Sequence, residues 1–226
     1  MFTGFTQQTQ DFLWGIRFNN DRTWFMEHKQ AYIDHVQRPI NELAREVLAQ
    51  FNDKHAKLGM EAHVSRIYRD ARRLHGRGPY KDHLWISLRA PKADRWTLRP
   101  EFWFGLHPDG YIYGMGMYEA KPIMMERFRR ELDETPKQML ALTKKLLKRT
   151  DLFIDGEEYK RPKGTAPAPL NLWYNRKAPD INCRWREWDE LLMSQSLVPT
   201  LVEAYDFLVP YYEYFRELCI HSETEG

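Results

Sequence analysis

Between residues 84 and 118 the chain changes from helical spacing to strict alternation, and this limits the fold more than any other feature. Leu84, Ile86 and Leu88 share one face of an extended segment, and Phe102, Phe104 and Leu106 share one face of the next. That is the period-2 pattern of a half-buried sheet. Pro108-Asp109-Gly110 separates the run 101–107 from the run 111–118. Proline fixes φ and glycine supplies a positive φ, so this triplet predicts a hairpin. With a further strand at 63–68 and short connections throughout, the middle of the chain reads as an antiparallel meander.

The flanks follow the helical period. Phe12, Leu13 and Ile16 predict a helix near 6–18 capped by Thr6. Asp21 can cap a second helix by accepting the amides of Thr23 and Trp24. Arg38-Pro39 should end or kink that helix and open the next, which carries Ile40, Leu43, Val47 and Phe51. Beyond Pro122 helices return near 122–132 and 136–149. After the proline-rich loop 161–169, closing helices are expected at 184–193 and 198–219, the last with Leu201, Tyr205, Leu208, Tyr212 and Phe215 as its apolar stripe. The fold class is therefore α+β, a single domain over 1–226 with the meander packed by N-terminal and C-terminal helices.

A chain of 226 residues with 42% hydrophobic residues can bury a core without staples. Cys183 and Cys219 lie in no C-x-x-C or zinc spacing, and the eight histidines form no H-x-x-x-H pair, so neither a metal nor a cofactor is expected. No apolar run is long enough to span a bilayer, and the N-terminus has no basic start followed by an apolar block. A cytoplasmic protein without a membrane partner is the expectation. Walker, G-x-S-x-G and G-x-G-x-x-G motifs are missing, and Gly114 and Gly116 read as bulges or close backbone approaches.

Charge is distributed unevenly. The chain carries 34 basic and 32 acidic residues, but residues 66–83 hold six basic residues against Asp70 and Asp82. On an extended segment, Arg66, Tyr68 and Asp70 take one face while Ser65, Ile67 and Arg69 take the other, with Ile67 toward the core. Guanidinium forks and phenol hydroxyls suit a phosphate or carboxylate. The candidate ligand-binding set is Arg66, Tyr68, Arg69, Asp70, Tyr80, Lys81 and His83. Asp70 and His83 are the candidates for proton transfer should the protein be an enzyme. Crowding of Arg72, Arg73 and Arg77 also asks for an outside anion.

Two other readings stand beside an anionic small molecule. The same stretch, with the Lys144 face of the helix 136–149, could contact nucleic-acid phosphates while Tyr68 or Tyr80 stacks on bases. Alternatively the charges form a structural ion-pair ladder on an interaction scaffold. Asn19-Asn20-Asp21-Arg22-Thr23-Trp24-Phe25 reads as a helix break, a cap and two core aromatics, with the alternative that Asn20 and Arg22 border the pocket of Arg66 and Lys81.

Four segments together resemble a known family: 19–25 (NNDRTWF), 66–72 (RIYRDAR), 79–83 (PYKDH) and 114–118 (GMGMY). In order and spacing they are similar to the bacterial and fungal domain of unknown function 2461, and 161–164 (RPKG) resembles that family's later basic loop. The resemblance implies no activity, substrate or cofactor. Between Arg72 and Pro79 this chain departs from the family pattern, carrying Arg73-Leu74-His75-Gly76-Arg77-Gly78 in place of a segment bearing an acid and a hydroxyl.

Overall fold

The alternating runs form consecutive strands in a computed structural model of the chain, which describes residues 1–70, 72, 76, 78–91 and 96–224. Strands β1 (Glu61–Val64), β2 (Leu84–Arg89), β3 (Glu101–His107) and β4 (Gly110–Gly116) lie side by side in chain order. This is the expected meander, and the β3–β4 connection is the Pro108-Asp109 turn; Gly110 opens β4 without the positive φ expected of it, and a Cβ there would instead lie 2.2 Å from the Arg186 carbonyl oxygen. Two short strands, β5 (Phe153–Asp155) and β6 (Asp180–Asn182), extend the sheet to the order β1-β2-β3-β4-β6-β5. β6 pairs antiparallel with both β4 and β5. The class is α+β, as the alternation and its helical flanks require.

By internal contacts the chain divides into two compact units. Unit 1 comprises 1–88, 103–112 and 185–203, and unit 2 comprises 89–102, 113–184 and 204–226. Unit 1 contains α1 (Gln7–Phe18), α2 (Arg22–Glu27), α3 (Lys29–Tyr32) and α4 (Arg38–Lys54). Thr6 precedes α1, its amide donating to Thr9 Oγ1 at 3.1 Å, and Asp21 caps α2 by accepting from the Trp24 amide at 3.0 Å. Both caps follow the sequence.

The break expected at Arg38-Pro39 takes a different form. Instead of stopping, the backbone widens into a π-helical turn, Ile33–Gln37, and continues as α4 with Pro39 in its first turn. Pro39 has no N–H to give and its ring crowds the carbonyl four residues back. That carbonyl, on His35, accepts instead from Thr9 Oγ1 at 2.6 Å. A widened turn combined with a side chain from α1 thus absorbs the proline without ending the helix.

Unit 2 contains α5 (Pro122–Glu134), α6 (Lys137–Leu146), α7 (Asn171–Tyr174) and most of α8 (Leu197–Thr224). Tyr205, Leu208, Tyr212 and Phe215 of the α8 stripe are fully buried, and Phe102 packs on Tyr205 and Tyr212 with ring centroids 5.3 and 5.0 Å apart. Trp173 is buried with its indole N–H donating to Thr143 Oγ1 at 3.0 Å. No helix among the described residues is long and apolar enough to cross a membrane.

The closing helix expected at 184–193 does not form. Arg184 adopts φ 60°, and Arg186 makes an antiparallel bridge to Tyr111, with N···O distances of 2.8 and 3.0 Å. Asp189 then accepts from the Tyr111 hydroxyl, from Arg186 Nη2 at 2.8 Å and from the Leu192 amide at 2.9 Å. These tertiary hydrogen bonds outweigh a helical spacing worth only tenths of a kcal/mol per residue.

Candidate functional site

Regular strand ends at Val64, yet pairing continues. The Ser65 amide donates to the Trp85 carbonyl at 2.8 Å, Lys81 N to Ile67 O at 2.7 Å and Arg69 N to Pro79 O at 2.8 Å, with a bridge between Tyr68 and Tyr80. The extended backbone preserves the expected alternation: Ser65 and Ile67 are buried, whereas Arg66, Tyr68 and Asp70 are exposed. Asn20 fixes the second limb, accepting from the Tyr80 amide at 2.9 Å and donating to the Tyr80 carbonyl at 3.0 Å. Gly78 makes that approach possible, because a Cβ there would lie 2.2 Å from Asn20 Oδ1.

The seven candidate residues occupy separate surroundings. Arg66 and Tyr68 line a cleft of about 330 Å³ in unit 1. Tyr80 is buried and does not line it, its ring stacked on that of the lining residue Phe25 at 4.2 Å. Lys81 lies beside Arg66, its ammonium donating to the Arg66 carbonyl at 2.6 Å and sitting 4.2 Å above the Trp85 ring. Burial, then the neighbouring Arg69 and Arg66 guanidiniums, lowers the Lys81 pKa. Asp70 is turned outward and paired with Arg72 at 2.8 and 3.0 Å. Arg73 and Arg77, the rest of the expected basic crowd, lie outside the described residues.

Arg69 and His83 gather around Asp82 instead. Asp82 Oδ2 accepts from Arg17 Nε at 2.6 Å, while Oδ1 faces His83 Nδ1 at 2.9 Å and Arg69 Nη2 at 3.8 Å. Arg69 Nε also donates to the Tyr80 carbonyl at 2.7 Å. The bond to His83, reinforced by Arg17, holds the Asp82 carboxyl well below the usual carboxylate range. A neutral imidazole beside a carboxylate keeps its proton on Nδ1 and leaves Nε2 as the acceptor. His107 stacks on His83 with centroids 4.9 Å apart and is packed edge-on against Trp185. Burial and the adjacent His83 push the His107 pKa down to about 4.

The opposite wall of the cleft escapes a reading by charge clusters. Lys29, Ile33, Gln37 and Asn41 line it, one row spaced four residues apart through the π-helical turn. Side chains at i and i+4 share a helix face, so this row could have been read in the sequence from its spacing. Phe25, Tyr32, Ile40, Ile67 and Leu84 complete an apolar floor. Burial, aided by Tyr68, raises the Tyr32 pKa to about 12, so its phenol remains a donor. Among the described residues no group of three or more His, Cys, Asp or Glu side chains could hold a metal ion.

Fold and site together define an α+β protein with a meander sheet and a cation-lipped, apolar-floored cleft. The family model described as a conserved hypothetical protein, DUF2461, matches residues 8–214, and the chain belongs to that family. No curated protein matches the chain.

Proposed function

We propose that this protein binds a compact organic anion, a phosphate or carboxylate carried on an apolar body, in the cleft between the strand at 64–68 and the row Lys29-Ile33-Gln37-Asn41. One observation carries this reading: Arg66 and Lys29 line an apolar-floored cleft without a carboxylate partner among the described residues. Lys81 is in keeping with it, its pKa lowered first by burial and then by the neighbouring Arg69 and Arg66 guanidiniums, whose like charges an anion would relieve. The volume of about 330 Å³ falls in the range of small-molecule sites, which favours one compact molecule over a nucleic-acid strand. The π-helical turn along one wall is a feature often found at functional sites. His83, oriented by Asp82, is the group on the neighbouring face able to move a proton if the bound molecule is turned over. The cytoplasm is taken as the working compartment, in keeping with two buried free thiols.

A thermal-shift panel of phenyl phosphate, benzoate, inorganic phosphate, a nucleoside monophosphate and a mixed oligonucleotide tests the reading. The expected result is stabilisation by an aryl or nucleoside anion that persists from about 50 to 200 mM salt, where contacts to a phosphate backbone weaken steeply. Stabilisation by the oligonucleotide alone, lost over that salt range, would overturn it in favour of a nucleic-acid module. A flat panel would leave an interaction scaffold.

A further inference from the structure

Unit 2 holds a second cleft, of about 400 Å³, which the anion reading does not use. It is walled by the segments that follow β4 and β5 and by the approach to β6, and Asp180 closes one side. Asp180 is the register partner of Gly116 on one neighbouring strand and of Asp155 on the other. Its Oδ1 is shut off from solvent and has no hydrogen-bond partner. That oxygen packs over Gly116, where a Cβ would come within 2.7 Å of it. Oδ2 accepts from Asn182 Nδ2 at 3.2 Å, and the same amide donates to Asp155 Oδ2 at 3.0 Å. One amide therefore serves two acids.

Among the lining residues acids outnumber bases, Glu119, Glu157 and Asp180 against Lys177. Arg176, the cation whose field reaches Asp180, donates to the Gly156 carbonyl at 2.6 Å and pairs with Glu158 at 3.3 Å. Lys177 is paired with Glu157, and Glu119 adds another acid to the lining. Tyr118 and Tyr159 contribute aromatic faces. The Tyr159 ring already draws cations, with Lys163 Nζ 4.9 Å and the Arg129 guanidinium 5.8 Å from its centroid. An anion would meet an acidic excess here, and an apolar guest would leave the Asp180 carboxyl uncompensated.

We propose that this cleft is a binding site for a small organic cation, a primary ammonium or a guanidinium, which supplies the counter-charge missing at Asp180. Burial, with Asp155 alongside, pushes the Asp180 carboxyl up to about 7, while Asn182, Arg176 and the Ile181 amide pull the other way. The empty site therefore holds a proton near neutrality. The arriving cation displaces it to water, and affinity rises with pH. Glu119, Glu157, Lys177 and the two tyrosines are the other titratable groups of the lining.

Calorimetric titration of the intact protein with agmatine, which carries a guanidinium at one end and a primary ammonium at the other, reads this directly. Binding should tighten about tenfold from pH 6 to pH 8, the change expected for one group titrating near 7. At pH 6, buffers of different ionisation enthalpy should report release of close to one proton per agmatine. Asp180→Asn should lose both the binding and its pH dependence, whereas Arg66→Ala, in the other unit, should change neither. Equal affinity at the two pH values, no saturable binding at either, or full binding by Asp180→Asn would overturn the proposal. Because the pH comparison uses the unaltered chain, it decides the matter even if the variant does not fold.

Discussion

His83 Nδ1 lies 2.9 Å from Asp82 Oδ1, so one half-buried carboxylate ties the imidazole of the second limb to Arg17 of α1. Replacing Asp82 by Asn leaves Arg17 and Arg69 without that charge. The expected loss is about 1–3 kcal/mol, the cost of stranding partly buried polar partners. Urea denaturation measures it, and a double-mutant cycle with Arg17→Ala should return a coupling of about 1 kcal/mol or more. Since Asp82 is held below its unfolded value, its contribution is present above the ordinary carboxylate range and is lost as pH falls through the depressed folded value.

His107 gives a separate acid dependence. Its folded pKa of about 4 lies below the unfolded 6.5, so between those values the unfolded chain takes up a proton that the native chain refuses. Stability should therefore fall as pH drops from 6.5 toward 4, by up to about 1.4 kcal/mol per pH unit where one whole proton is at stake. His107→Gln should flatten that slope in urea melts at pH 4.5, 5.5 and 6.5. Identical slopes in variant and parent would show that another group carries the effect.

Asn20 and Gly78 should behave as one unit. Asn20→Ala removes both hydrogen bonds to the Tyr80 backbone, with an expected cost of about 1–3 kcal/mol. Gly78→Ala introduces a Cβ into the space of the Asn20 amide and should reproduce most of that loss. Combined, the two should cost far less than their sum, and chemical denaturation of the three variants checks this. Full additivity would mean that Gly78 acts by some other route.

The meander was legible because Leu84, Ile86 and Leu88, like Phe102, Phe104 and Leu106, alternate onto one buried face, the pattern that also fixes register, although the other face is covered as well, with Ser87 buried and Trp85 and Trp103 half-buried. β5 and β6 were not, since three residues each, set among Gly156 and Pro179, carry no period of their own and owe their conformation to pairing, β6 with β4 and β5 with β6. Helix positions followed from caps and stripes except at the single-turn α7, which was not expected, and at Arg184 to Met193, where bonds to Tyr111 and His107 decide the backbone. At the site, alternation correctly put Arg66 and Tyr68 outward and Ile67 inward. It could not show that Arg69 and His83 turn to Asp82, because that grouping depends on Arg17, which lies 65 residues from Asp82 in the chain. Asp21 was a cap in both views, and Asn20, from the same motif, acts on the backbone of Tyr80.

The central claim is that Arg66 and Lys29 hold an anion in the unit 1 cleft. Isothermal titration of the tightest anion from the panel, into the parent chain and into Arg66→Ala at about 100 mM salt, tests it most directly. The account predicts saturable one-to-one binding that weakens about 10- to 100-fold in the variant, the loss expected for one charge-assisted hydrogen bond of about 1.5–3 kcal/mol. Equal affinity in the two chains, or no saturable binding in the parent, would contradict it.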